Sequence, residues 1–162
     1  MHREGVLHRD IKPANVRVDP GGRLKLLDLG IAKGVSAQTT LTSVGLGTVG
    51  YMAPEQHTDA SKADERADVY ALGMTLYEML AGCLPWGKQE LSEFAVMTAK
   101  ASGDFPPPTD HYPDIPPAVV EVLLKTLSVR PEDRPASAEE LVRQLDEAIG
   151  FVAPLEIGRA HV

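Results

Sequence analysis

The residues best equipped for chemistry lie in one octet, His8-Arg9-Asp10-Ile11-Lys12-Pro13-Ala14-Asn15. Asp10 can accept a proton, Lys12 can neutralise an anion, and Asn15 offers a neutral oxygen ligand. Pro13 removes a backbone donor and steers Lys12 away from helical geometry, so the octet reads as an irregular loop. Loops crowded with polar groups of opposite character are where binding and catalysis concentrate. Hard oxygen ligands beside a lysine suit a magnesium ion and a phosphate group.

Such a loop needs elements that hold it. Val16-Arg17-Val18 and Leu24-Lys25-Leu26-Leu27 read as short strands about the turn Asp19-Pro20-Gly21-Gly22. Folding about Gly21-Gly22 sets Val18 against Lys25, Val16 against Leu27 and Asn15 against Asp28, with opposed Cβ atoms roughly 4.5 to 5.5 Å apart. On that register an amide and a carboxylate converge beside Asp10 and Lys12.

Downstream, the apolar period becomes helical. Residues 64 to 82 read as a central helix, with Val69, Leu72, Leu76, Met79 and Leu80 on one face. Ala71 and Gly73 add small surfaces, so burial nearly all round is expected. Ser61 to Asp64 supplies capping groups and Gly82 a stop. Asp68 is a carboxylate in a helix otherwise destined for the core; its place near the helix start is favoured by the dipole. A shorter helix is expected over residues 90 to 101, with Leu91, Phe94, Ala95 and Thr98 on one side. Phe105 to Pro117 is proline-rich and reads as an ordered surface crossing. Val120, Leu123, Leu124 and Leu127 form another helical stripe. Arg130 to Pro135 is a charged turn, and Ser137 opens a last helix carrying Leu141, Val142, Leu145 and Ile149, with Glu140 at its third position. Trp86 reads as packing, and His2, His57 and His111, which lack partners at metal spacing, as surface residues. Residues 29 to 50 form a long connection containing Thr39, Thr40, Thr42 and Ser43. Taken without a relative, it is a flexible threonine-rich loop.

The chain has 162 residues, 43% of them hydrophobic, and a net charge of -7. That length fits one domain able to bury roughly 70% of its unfolded surface. The acidic balance argues against nonspecific nucleic-acid binding. A single cysteine, Cys83, allows no internal disulfide and no metal cluster, in keeping with a reducing cytoplasm. No stretch is apolar for long enough to span a bilayer, and no signal peptide opens the chain.

His8-Arg9-Asp10 followed by Asn15, then Asp28-Leu29-Gly30, then Ala53-Pro54-Glu55, resembles the eukaryotic-type protein kinases. Lys12 between Asp10 and Asn15 resembles their serine/threonine branch, and Tyr51-Met52-Ala53-Pro54-Glu55-Gln56 the bacterial members. That resemblance, and not the spacing, implies a fold and a role for each residue. The fold would be mainly α (α+β): the C-terminal lobe of a protein kinase, a helical bundle with a small β-hairpin carrying the catalytic loop. Asp10 would orient and deprotonate the substrate hydroxyl, Lys12 would neutralise the transferring phosphoryl group, and Asn15 and Asp28 would hold Mg²⁺ against the phosphates of ATP. Thr48 would touch Asp10 and Lys12. Residues 29 to 50 would be the activation loop, with Thr39, Thr40, Thr42 and Ser43 as candidate phosphosites and Arg9 and Lys33 as phosphate receivers. His8 would stack with Leu29, which replaces the more frequent phenylalanine before Gly30. Asp68 would accept backbone hydrogen bonds from the His8-Arg9-Asp10 loop, and Arg134 would pair with Glu55.

The family's glycine-rich loop, strand lysine and helix glutamate all precede the catalytic loop, and only seven residues precede His8. The expectation is therefore residues 1 to 150 as the C-terminal lobe, with Met1 an internal codon. Residues 151 to 162 would be a disordered tail. The last seven, which back-translate to a common sequencing-adaptor read-through, would not be biological. The protein acting on ATP and a protein substrate would be a serine/threonine kinase, and the 162 residues alone would be inactive. The alternative is a noncatalytic protein-binding module. Apolar residues around Leu7, Leu29 and the strands would meet water in the lone lobe and invite self-association.

Overall fold

A computed structural model of the chain describes residues 7–27, 49–58, 63–89 and 91–150. Among the described residues, two antiparallel strands, β1 (Val16–Val18) and β2 (Leu24–Leu26), precede the helices α1 (Pro54–Thr58), α2 (Glu65–Ala81), α3 (Glu93–Ser102), α4 (Pro117–Thr126) and α5 (Ala138–Gly150). The mainly helical lobe with one small hairpin is the architecture expected.

The hairpin differs from expectation by one residue. Val16 pairs with Leu26, Arg17 with Lys25 and Val18 with Leu24. The cause lies in the turn. The Asp19 amide donates to the Arg23 carbonyl at 2.9 Å, and the Gly22 amide to the Asp19 carbonyl at 2.9 Å. Gly22 sits at φ +77°. The loop is thus Pro20-Gly21-Gly22, a turn completed by one left-handed glycine, and not a two-residue turn. The Asp19 side chain fixes it by accepting from the Gly21 and Arg23 amides at 2.9 and 3.0 Å. Asn15 therefore stands opposite Leu27, whose amide donates to the Asn15 carbonyl at 2.8 Å.

Helix α2 is the axis of the lobe. Asp64 caps it by accepting from the Arg66 amide at 2.9 Å, and Gly82 ends it at φ +73°. Tyr70, Met74 and Tyr77, at i, i+4 and i+7, are fully buried against Leu123 and Leu127 of the α4 region, with Ala53 and Ala67 completing the cluster. Val69, Ala71, Gly73 and Thr75 are buried too, so α2 is enclosed nearly all round as expected. Met79 departs from the predicted face: it is 71% exposed, while Leu80 and Ala81 of the same turn pack against the core. Gly73 permits the close approach of α4. A methyl group there would meet Thr126 Cγ2 at 2.8 Å and Leu127 Cδ2 at 2.9 Å.

Helix α3 turns a different face inward from the one its apolar period predicts, whereas α5 buries Leu141 and packs Leu145 as predicted. In α3 the buried residues are Val96 and Lys100, whereas Phe94 is 79% exposed and Thr98 is exposed. A short helix offers two overlapping i, i+4 stripes, and packing of α3 on α1 selects the one with the lysine. In α5, Leu141 and Ala148 turn inward, while Val142 and Ile149 are exposed. The Ser137 hydroxyl accepts from the Glu140 amide at 3.2 Å, and Glu140 reaches back to the Ala136 amide at 2.8 Å, one residue upstream of the usual capping box. The proline-rich crossing is ordered by Pro108, by Ile115 and by Tyr77, whose hydroxyl donates to the Pro106 carbonyl at 2.9 Å. Burial pushes that hydroxyl up to about 12. Among the described residues no helix is long and apolar enough to cross a membrane.

Candidate active site

The His8-Arg9-Asp10 loop is held from below by α2. The Asp68 carboxylate, 2% exposed, accepts from the His8 amide at 2.7 Å and the Arg9 amide at 2.9 Å. One carboxylate thus satisfies two buried donors and holds Arg9 at φ +61°, a left-handed conformation that costs a non-glycine residue energy unless its surroundings impose it. Ile11 roots the loop in the core at 5% exposure. The buried His8 ring links the loop to the hairpin. Its Nδ1 accepts from the Asp10 amide at 3.3 Å, so Nε2 carries the proton and donates to the Leu27 carbonyl at 3.2 Å.

Three of the predicted site residues come together on this base. Lys12 Nζ lies 3.3 Å from Asp10 Oδ1. Asn15, buried at 8% exposure, donates from Nδ2 to the Asp10 carbonyl at 2.7 Å and to Asp10 Oδ2 at 3.1 Å. The single turn Pro13–Asn15, entered through the proline, brings Asn15 back over Asp10. With its nitrogen engaged twice, the amide directs its oxygen elsewhere. An acid, a cation and an oriented amide therefore share one small volume. Asp28, Leu29, Gly30, Lys33, Thr39, Thr40, Thr42, Ser43 and Thr48 lie outside the described residues.

The opposite wall is the segment from Val49 to Gln56. Tyr51, Met52 and Gln56 line a void of only about 10 Å³ with Arg9, Asp10, Ile11 and, from α2, Ala67, Asp68 and Ala71. The Tyr51 hydroxyl donates to Glu78 of α2 at 2.5 Å. Burial, and then Glu78, raise the tyrosine's pKa well above its ordinary value. Glu55 is anchored by Arg134 as expected, through 2.7 and 2.8 Å bonds from the two terminal nitrogens. Arg134 also donates to the carbonyls of Ser128, Val129 and Arg66, and its guanidinium lies 4.8 Å from the Tyr70 ring centre. Burial raises the Tyr70 pKa well above its ordinary value, with the Arg134 charge opposing.

Two residues of this wall are not predicted by the sequence pattern. Lys100 is fully buried, and its Nζ donates to the Val49 and Met52 carbonyls, each at 2.6 Å. Its place four residues after Val96 is the one signal available. His57, expected at the surface, is half-buried. Burial, then the Lys100 charge, lowers its pKa to about 4, so the ring is neutral. Trp86, expected to serve packing, covers Lys100 with its ring centre 5.9 Å from Nζ.

Residues 1–145 match the family model described as the protein kinase domain. With the loop, its Asp68 base and the Glu55–Arg134 pair in place, the chain belongs to the protein kinase family. Among curated relatives, it is 40% identical over 142 residues to the tyrosine-protein kinase MasK of Myxococcus xanthus, covering 87% of this chain and 22% of that protein. It is 41% identical over 155 residues to the serine/threonine-protein kinase pkn3 of Myxococcus xanthus, covering 89% of this chain and 28% of that one. It is 36% identical over 168 residues to the probable serine/threonine-protein kinase PknB of Corynebacterium glutamicum, covering 99% and 25%. The chain spans about a quarter of the length of these relatives.

Proposed function

We propose that the gene product to which this chain belongs is a serine/threonine protein kinase that transfers the γ-phosphoryl group of ATP to a protein hydroxyl. The observation that carries the reading is the meeting of Lys12 and Asn15 on Asp10. Phosphoryl transfer asks for positioning and charge neutralisation more than for covalent chemistry, and this loop supplies groups for both. Asp10 aligns the acceptor hydroxyl and takes its proton. Lys12, paired with Asp10 at rest, neutralises charge on the group in flight. The lysine between Asp10 and Asn15 favours serine and threonine acceptors over tyrosine.

The donor chemistry fits Mg²⁺. Asn15 spends its nitrogen on Asp10, which leaves a hard oxygen for a divalent ion, and Asp28 is the natural second ligand. The metal, when bound with ATP, supplies charge neutralisation at the phosphates. Thr48 completes the acceptor side. Phosphorylation at Thr39, Thr40, Thr42 or Ser43, read by Arg9 and Lys33, orders the activation loop.

Mass-spectrometric mapping of products made by the full-length protein with ATP, Mg²⁺ and a mixed protein acceptor tests the reading. Phosphoserine and phosphothreonine are expected. Phosphotyrosine alone overturns the acceptor class. No labelling of any acceptor overturns the activity in favour of a noncatalytic binding module.

A further inference from the structure

We infer that Lys100 is a positioning residue for the phosphoryl acceptor, acting through the turn at Val49–Met52; the inference rests on the kinase reading above. Three observations carry it. First, Lys100 is a lysine with no exposed surface, and its Nζ donates to the Val49 and Met52 carbonyls at 2.6 Å each. Buried lysines are rare unless paired, and among the described residues this one has no carboxylate partner. Its environment is instead two carbonyls and two ring faces, Tyr70 at 5.6 Å and Trp86 at 5.9 Å. Second, the residues between those carbonyls are not remote from the chemistry. Tyr51 and Met52 line, with Arg9 and Asp10, the small void between the loop and α2. Third, the clamp starts from a different helix. Tyr51 is tied to α2 through Glu78, while Lys100 ties the same turn to α3.

The chemistry suits this role. Burial pushes the amine down to about 7. His57 of α1 is neutral and Glu55 is engaged by Arg134, and among the described residues no ion pair to the amine is present. Charged or neutral, a lysine amine keeps at least two N–H donors, as many as there are carbonyls to satisfy. A methionine of the same length fills the space and donates nothing. The turn is then left with two buried acceptors unmet and relaxes, which moves the wall against which an acceptor segment would lie. Neither Asn15 nor Lys12, the residues proposed to meet ATP, touches this turn in the bonds above, so KM for ATP should be unaffected.

The test has two arms. In the 162-residue chain, Lys100→Met should speed amide exchange selectively at Ala53 and Gln56, by about tenfold or more, relative to α4 and α5. Val96→Ala, a core change on the same helix, should not show that selectivity. Uniform acceleration in Lys100→Met overturns the clamp. Trans-hydrogen-bond couplings from Lys100 Nζ to the Val49 and Met52 carbonyl carbons in the unmutated chain provide a check that needs no variant; their absence also overturns it. In the full-length protein, Lys100→Met should raise KM for the protein acceptor about tenfold while KM for ATP and kcat stay within about threefold, and Lys100→Arg should recover part of the loss. An active wild type with acceptor KM unchanged in Lys100→Met sinks this inference alone. An inactive wild type sinks the kinase reading itself.

Discussion

Replacing Glu55 with glutamine should be among the most damaging conservative changes in this lobe. Arg134 has five N–H donors. The structure matches them with five bonds: two to Glu55, and one each to the carbonyls of Ser128, Val129 and Arg66. The Arg134 side chain has no exposed surface, while that of Glu55 retains 16%. Glu55→Gln leaves the guanidinium buried without its counter-charge and turns one acceptor into a donor aimed at other donors. Breaking a buried pair from one side costs about 3 to 5 kcal/mol. For a domain of this size about 2 to 4 °C of melting temperature accompanies each kcal/mol, so a fall of roughly 6 to 20 °C is expected. Arg134→Met should also destabilise, by leaving a carboxylate and three carbonyls unmet, but the partly exposed Glu55 can be rehydrated. The double variant should therefore be more stable than the sum of the singles predicts. Calorimetry on the four proteins measures this cycle. A Glu55→Gln melting temperature within about 2 °C of wild type, or strict additivity, would refute the reasoning.

Asp68→Leu removes the acceptor of the His8 and Arg9 amides and should cost about 1.5 to 3 kcal/mol per charged hydrogen bond by urea denaturation, with Arg9 leaving its left-handed conformation in the NMR couplings. Gly73→Ala should destabilise by about 1 to 3 kcal/mol, less the roughly 1 kcal/mol that alanine gains over glycine in a helix, because the new methyl strikes Thr126 and Leu127; stabilisation would contradict the packing of α2 on α4. His57 binds its proton less readily folded than unfolded, its pKa lowered from 6.5 to about 4. Between those values the unfolded chain holds more protons, so stability should fall as pH drops from 6.5 toward 4. A thermal melt series should show this slope reduced in His57→Asn. The exposed Val18, Leu24, Leu26 and Leu27 side chains of the hairpin should drive concentration-dependent association of the 162-residue chain; light scattering that stays monodisperse would count against it.

The helical lobe is legible in the sequence because its signals are local. Asp64 and Gly82 mark α2 by capping chemistry, and its apolar period marks it as helical. The residues that form its core face, Tyr70, Met74 and Tyr77, are nevertheless not the stripe of Val69, Leu72, Leu76, Met79 and Leu80 that the period singles out. The loop is legible for a different reason: Asp10, Lys12 and Asn15 lie within six positions, so one proline-led turn suffices to join them. The Asp68 and Arg134 contacts, across 60 and 79 residues, come from family resemblance and not from any pattern in the chain. The departures share one cause, a dependence on partners distant in the chain or on backbone detail within a turn. The hairpin register depends on whether the turn holds two residues or three, which Pro20-Gly21-Gly22 alone does not state. The inward face of α3 depends on which neighbour the helix meets. Lys100 is hidden because a lysine reads as solvated until the carbonyls and rings that receive it are placed, and the carbonyls lie some 50 residues upstream in Val49 and Met52.

Asp10, with Lys12 and Asn15 gathered on it, stands at the centre of the proposed phosphoryl transfer. Its most direct test is kcat for a serine- or threonine-containing acceptor in the full-length protein, comparing wild type with Asp10→Asn under saturating ATP and Mg²⁺. A fall of about 10²- to 10⁴-fold is predicted, the range for loss of a positioned proton acceptor, with the variant still folded. A kcat within about threefold of wild type would contradict it.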